Sequence, residues 1–278
     1  MLKKAASGLF IVLLATALPL PASSSDNVAY NLPWEKFSFR AGYFFAGMND
    51  QVTVGAGGAG IQMDAEDLLG LKSQTESIRL GASYRIGEAR RHRVDVEWFY
   101  FNRSADVTLG QDIVVDNTTI PTGTPVSTTF NIQYIKAVYR YSFFMDDRMD
   151  LSGVIGLFVM PLKFEIAASG IISESAKLKF TAPLPTLGLH GDFAVTRRLF
   201  IRTAIDFFYY EYHGFTGSLI DSNISVEYNP WKNFGFGVGW ENFKMGLRSD
   251  GNDYPNVDFQ GDIKSQFMGV EIYAKYFF

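Results

Sequence analysis

The 278-residue sequence contains no cysteine. That excludes a disulfide framework, thiolate metal sites and a cysteine nucleophile together. Nor is there a surplus of positive charge: 25 Lys+Arg stand against 29 Asp+Glu, a formal net charge of −4. A global basic surface is therefore missing, and nucleic acid is not an expected partner. Charged residues make up only 19%, against 47% hydrophobic and 15% aromatic, so the chain is too apolar to be disordered. After the first two dozen residues no apolar run is long enough for a spanning helix, which needs about 20 predominantly apolar residues. The most apolar stretch, Leu151 to Leu162, contains Pro161 and runs straight into Lys163 and Glu165.

Residues 1–24 read as a signal peptide. Lys3 and Lys4 form a basic start, Leu9 to Leu20 an uncharged apolar core, and Pro21 to Ser24 a small-residue processing site. The mature chain, 25–278, is then expected outside the cytoplasm, either dissolved or built into a membrane from strands.

A period of two runs through that mature chain. At the C-terminus Met268, Val270, Ile272, Ala274, Tyr276 and Phe278 share one strand face, opposite Phe267, Gly269, Glu271, Tyr273, Lys275 and Phe277. Ile78, Leu80, Ala82, Tyr84 and Ile86 likewise oppose Arg79, Gly81, Ser83 and Arg85, and Val94, Val96 and Trp98 oppose Arg93, Asp95 and Glu97. A soluble sandwich would alternate too. Three features favour a barrel in lipid: aromatics near strand ends, inner faces that mix glycine, charge and aromatics, and connections of alternating length. Short turns fall near 87–91, 145–148, 196–198 and 229–233, and longer loops near 104–127, 168–176, 211–217 and 248–262.

The pattern predicts an all-β fold, a closed antiparallel up-and-down transmembrane β-barrel of about ten strands. They are placed near 35–47, 75–87, 92–104, 127–144, 148–166, 177–195, 199–211, 217–228, 234–247 and 262–278. An extra hairpin within Met48–Gln74 would make twelve, and AEDLLGL there reads as a helical turn in the first loop. Within 127–144 the apolar parity changes: Phe130 and Ile132 share one face, Tyr139, Tyr141 and Phe143 the other, which predicts a bulge or an extension beyond the membrane.

The leader, the alternating strands and the terminal VEIYAKYFF resemble the Gram-negative outer-membrane β-barrel superfamily, of the small OmpA-like, OmpW-like and opacity-protein kind. The resemblance implies a cell outer-membrane location, with outer-membrane lipid and lipopolysaccharide as surroundings. It also implies that Val270, Ile272, Ala274, Tyr276 and Phe278 form the signal read by the barrel-assembly machinery. No further domain is expected after the last strand.

The inner faces collect Arg40, Arg79, Arg85, Arg93, Arg140, Arg202 and Lys275 against Asp95, Glu97, Asp192, Asp206, Glu227, Glu241 and Glu271. Unpaired charges in a narrow lumen are costly, so these are expected to pair. Phe99, Phe101, Phe208, Tyr273 and Phe277 add bulk on the same faces. A barrel of this size is largely filled by side chains, which predicts an occluded interior; a small water-filled passage lined by the same charges is the alternative.

Catalytic signals are thin. His190 and Asp192 share an inner face, and the resemblance to omptin proteases, also ten-stranded barrels with a His and Asp dyad, brings them forward. Asp192 lies just before the Thr196 turn, however, whereas the omptin comparison implies the opposite rim, so a structural pair is expected. His213 sits in a loop with Phe215 where a serine would be needed, leaving only Ser218 nearby. The glycine-rich Val54–Gly60 lacks the GK[ST] of a phosphate loop. Asp64, Glu66, Asp67, Asp250 and Asp253 read as solvated loop acids, and Arg103 and Arg248 are the only hint of a phosphate-binding cluster. The chain is expected to be no enzyme and to need no cofactor or metal. Its role is expected to be structural or surface-interacting, with a narrow porin for small or apolar solutes as the alternative.

Overall fold

Strict alternation of apolar and polar side chains gives a strand one greasy and one polar face, and closing a sheet on itself gives each face a separate environment. The computed structural model describes residues 33–54, 62–115, 118–168, 176–212, 214–250 and 260–278. The proposed leader 1–24, most of the glycine run after Val54, His213 and Asp253 lie outside the described residues.

The described residues form thirteen strands: β1 (Phe37–Val54), β2 (Gln62–Asp64), β3 (Gln74–Ile86), β4 (His92–Thr108), β5 (Ile113–Val115), β6 (Thr118–Ile120), β7 (Pro125–Met145), β8 (Met149–Ala168), β9 (Ala176–Ala194), β10 (Leu199–Tyr212), β11 (Phe215–Tyr228), β12 (Phe234–Asp250) and β13 (Gln260–Phe277). Ten of them form the wall in the order β1-β3-β4-β7-β8-β9-β10-β11-β12-β13, and β13 pairs with β1 to close the ring. Neighbours are antiparallel throughout. The short β2 folds back onto β1, and β5–β6 is a separate small ladder, so the Met48–Gln74 region adds no wall strand.

The closing ladder runs from Ser38 opposite Phe277 to Val54 opposite Gly261. At its foot the Lys36 and Phe37 amides both donate to the Phe278 carbonyl, at 2.9 and 3.0 Å, and the Phe278 amide donates to the Phe37 carbonyl at 3.0 Å. The two faces differ as the alternation requires: Ile272 is 56% exposed while its chain neighbour Glu271 is 4% exposed. Outward positions carry Phe45, Ile78, Tyr84, Ile155, Leu189, Val238 and Val270, all exposed. A continuous band of such residues around a closed ring is a surface for hydrocarbon rather than water.

The strands run further than the alternation marks them, always toward the long-loop end. β1 reaches Val54, β4 reaches Thr108 and β7 begins at Pro125. Above the apolar band the outward face turns polar while the inward face stays apolar, with Met48, Val52, Val126, Phe164 and Ile166 buried, so the apolar parity reverses while the backbone ladder continues. The loop expected at 211–217 is instead a tight connection between Tyr212 and Phe215, with Gly214 at φ 78°. Side-chain alternation is unbroken where β7 was expected to bulge. Phe130, Ile132, Tyr134, Lys136 and Arg140 all point inward and Tyr139 and Tyr141 outward, and the irregularity lies at Ser142/Phe144 beside the turn. The inner face itself changes from charged to apolar along the barrel, which mimics a flip of the strand.

Two ladders end early. β3–β4 stops at Leu80 opposite Trp98, where the Tyr100 amide donates to the Ser77 hydroxyl at 3.2 Å instead. β9–β10 stops at Leu187 opposite Phe207, although β9 continues pairing with β8 to Ala176. Pro183 and Pro185 in β9 have no amide to donate, a feature suited to a strand edge.

Candidate functional site: the barrel interior

The interior is layered. Nearest the short turns, the inward positions of β3, β4, β7, β10 and β13 supply Arg85, Arg93, Arg140, Arg202 and Lys275. Those of β4, β8, β9 and β11 supply Asp95, Asp150, Asp192 and Glu227, and Glu35 enters from the segment before β1. Asp192 is the hub. One of its oxygens lies 3.0 Å from Arg93, 3.2 Å from Arg140, 3.3 Å from Arg202 and 3.6 Å from Arg85. The arginines also find separate acids. Arg85 reaches Asp150 at 2.8 Å and Arg93 reaches Asp95 at 2.5 Å, while Arg202 contacts Glu35 at 2.9 Å and Glu227 at 3.1 Å. Lys275 bridges Glu227 and Glu35. Burial alone would push the Glu35 carboxyl up, but Arg202, Lys275, Arg93 and Arg85 outweigh it and hold the group well below its ordinary range.

Further along, Arg40 pairs with Glu97, and Arg79 with Glu241 and, at 3.5 Å, Glu271. Lys136 donates to Asp206 at 2.6 Å and to Asp221 at 2.9 Å. His190 does not pair with Asp192, the partner considered from sequence. Its Nε2 lies 3.1 Å from both oxygens of Asp206 on the neighbouring strand, while Asp192 faces the arginines. The register explains the exchange: Ala204, not Asp206, stands opposite His190, and Asp206 is the next inward residue along β10.

A cavity of about 80 Å³ separates these groups, lined among others by Arg40, Arg93, Asp95, Glu97, Arg140 and Asp192. It has room for several waters and is small beside the roughly 300–1,000 Å³ of ligand pockets.

Toward the long loops the interior becomes aromatic. Phe44, Phe99, Phe101, Tyr134, Phe158, Phe243 and Phe267 are buried in one cluster. Phe99 stacks on Tyr134 with centroids 4.6 Å apart, and Phe243 on Phe267 at 4.7 Å. Tyr134 on β7 meets Phe243 on β12 edge-on at 5.2 Å, although those strands stand on opposite sides of the ring. The Arg79 guanidinium lies over the Phe99 and Phe44 rings, joining the ionic and aromatic layers. Above them, segment 64–71 turns into the mouth and buries Ala65, Leu69 and Leu71. Asp64 accepts the amides of Glu66 and Asp67, and the Leu68 amide donates to the Asp64 carbonyl, which makes the helical turn. Arg103 ties this segment down by pairing with Glu66 and Asp50.

Glu35, Lys136, Asp150 and Asp221 join the network beyond the charges expected from sequence. Lys136 shares its face with Arg140, and Asp221 its face with Glu227, so both were open to detection by parity. Glu35 lies at the start of the expected strand 35–47 on the parity opposite to Arg40 and in fact precedes β1, and Asp150 is the second residue of β8, beside the turn. Arg103 faces the mouth rather than a lipid phosphate, which corrects its surface assignment. Phe277 is only partly buried, at the rim. Among the described residues no three His, Cys, Asp or Glu side chains gather as metal ligands.

A ten-stranded antiparallel ring, apolar outside and ionic and aromatic inside, is a transmembrane β-barrel. Solved structures with this fold include the outer membrane protease OmpT from Escherichia coli, with a TM-score of 0.53 at 11% identity over 92% of this chain and 100% of that one. The translocator domain of the autotransporter NalP from Neisseria meningitidis aligns with a TM-score of 0.44 at 12% identity, over 87% and 88% of the two chains. Ail, the attachment invasion locus protein of Yersinia pestis, aligns with a TM-score of 0.36 at 10% identity, over 86% and 99%. No family model and no curated protein matches the chain.

Proposed function

We propose that the protein is a non-catalytic barrel of the outer membrane with a structural or surface-interacting role, whose lumen is occluded. The carrying observation is the Tyr134–Phe243 contact, in which side chains from opposite walls meet across the interior. Ionic pairs fill the level below and the Arg103-anchored segment the level above. His190 and Asp206 lie within the ionic level, and Asp206 is shared with Lys136; this is the arrangement of a structural tie. Single-channel recording on the barrel in planar bilayers tests the proposal: no stable conductance is expected, and a large, steady one overturns it. The polar cavity in the short-turn half favours a second reading, a narrow passage for small solutes, which a small but steady conductance would support.

Residues 1–24 serve in this proposal as the leader for export, and Val270, Ile272, Ala274, Tyr276 and Phe278 as the signal for the assembly machinery. Val270, Ile272 and Tyr276 are exposed large side chains on the lipid face of β13, and Phe278, one residue past its end, is exposed as well. Outer-membrane lipid and lipopolysaccharide are the proposed surroundings. Replacing Phe278 with Ser is expected to lower the amount of barrel reaching the outer membrane while leaving refolding from urea into detergent intact.

A further inference from the structure

The lipid-facing wall is not uniform. On β8 the outward position 153 is a glycine, flanked across the two ladders by Tyr141 on β7 and Leu189 on β9. A Cβ built on Gly153 would meet nothing within 4 Å, so the missing side chain leaves a slot rather than a close approach of backbones. The slot widens into a groove of about 490 Å³ that also touches Ile155, Leu187 and Phe207, a volume in the range of about 300–1,000 Å³ for small-molecule sites. Its walls are apolar and open outward, with Ile155, Leu187, Leu189 and Phe207 all more than half exposed.

The far end of the groove coincides with an independent feature. Leu187 and Phe207 are the last register pair of the β9–β10 ladder, and beyond them β9 carries Pro183 and Pro185. The groove thus runs from the Gly153 slot to the foot of the wedge where two wall strands part. Both lie on the apolar band, below the first outward charges of β8, Lys163 and Glu165.

We propose that this groove is a binding site for one acyl chain of a membrane lipid, lying over Gly153 with its end at the β9–β10 wedge. Three properties select a hydrocarbon chain. The groove is continuous with the lipid-facing surface, it has no charged side chain in its lining, and its floor is one side chain wide. A chain seated there regains the dispersion contacts that the slot otherwise lacks. It also shields the edge of a sheet from the bilayer. A second copy of the protein would have to insert a ridge into a slot of that width, and a dissolved apolar solute would have no reason to prefer the foot of the wedge.

The test uses the full mature barrel in phosphatidylethanolamine–phosphatidylglycerol vesicles containing a trace of phosphatidylglycerol with a diazirine in its acyl chain. After illumination, adducts are mapped by mass spectrometry. Adducts on the β8, β9 and β10 groove residues are expected to exceed those on the rest of the apolar band about tenfold, corresponding to about 1.4 kcal/mol of preference. In Gly153→Leu, whose Cβ meets nothing within 4 Å and whose side chain would occupy the slot, the excess is expected to vanish. In Ala41→Leu, which adds the same bulk on the lipid face of β1, it is expected to remain. The mobility shift between boiled and unboiled samples confirms that each variant is a closed barrel. An even distribution of adducts around the band overturns the proposal, as does an excess that survives in Gly153→Leu or a protein–protein cross-link centred on the groove.

Discussion

Asp192 illustrates how a single side chain can organise a lumen. Four guanidiniums converge on one carboxylate, and none of the four depends on it alone. Removing its charge leaves four buried guanidiniums close together with only their outlying acids, Asp95, Asp150, Glu35 and Glu227, to balance them, and breaking a buried ion pair costs about 3–5 kcal/mol. Asp192→Asn is therefore expected to lower the urea concentration at which the barrel unfolds from vesicles, by far more than a change at an exposed rim acid such as Asp67. Glu35 makes a pH-dependent contribution. Its arginine and lysine neighbours hold its folded pKa below the ordinary 4.5, so its stabilisation is complete above that value and fades as pH falls below it, where the unfolded chain takes up the proton first. Glu35→Gln is expected to lower the temperature of the boiled-to-unboiled transition at pH 7, with the gap to the parent narrowing progressively as pH falls below 4.5. Gly237 is fixed by contact: a Cβ there would run into the Tyr273 ring. Gly237→Ala is expected to cost about 1–3 kcal/mol through overpacking, and Tyr273→Ala in the same chain is expected to recover part of it in the same unfolding measurement.

Individual strands show what alternation can and cannot reveal. The last part of β13 was legible because its outward residues from Met268 onward are uniformly apolar and its inward ones include Glu271 and Lys275. On β7 the apolar parity changes between Phe130 and Tyr139 because the inward residues turn from apolar to charged at Tyr134–Lys136, which fits the expected extension and not the expected bulge. A hydrophobic pattern reports burial in one environment; here grease lies on both sides of the wall at one level. The same aromatic level sets the response to truncation. Phe267 touches Phe44, Phe99, Phe101, Tyr134 and Phe243, so Phe267→Ala is expected to cost about 3–5 kcal/mol, measured by urea unfolding. The equally large Phe236, exposed to lipid on β12, is expected to tolerate Leu with little change.

For the molecule as a whole, class and strand number could be read from the chain because both follow from one-dimensional signals: a period of two, and turn residues at regular intervals. Partnerships across the ring could not. The sequence placed His190 beside Asp192 because they are two residues apart on one face, whereas the barrel's stagger brings Asp206 to His190 and sends Asp192 to the arginines. Lumen contacts depend on shear, which no single strand encodes. The ring closes through its terminal strands, with the Phe278 carbonyl accepting amides from Lys36 and Phe37. An open sandwich can lose an edge strand and keep a core. Here every wall strand has two neighbours, so the loss of any one bares two hydrogen-bonding edges to hydrocarbon. Biogenesis must therefore shelter both free margins until the final segment arrives, and a polypeptide cut short by one strand gains almost nothing from those already made.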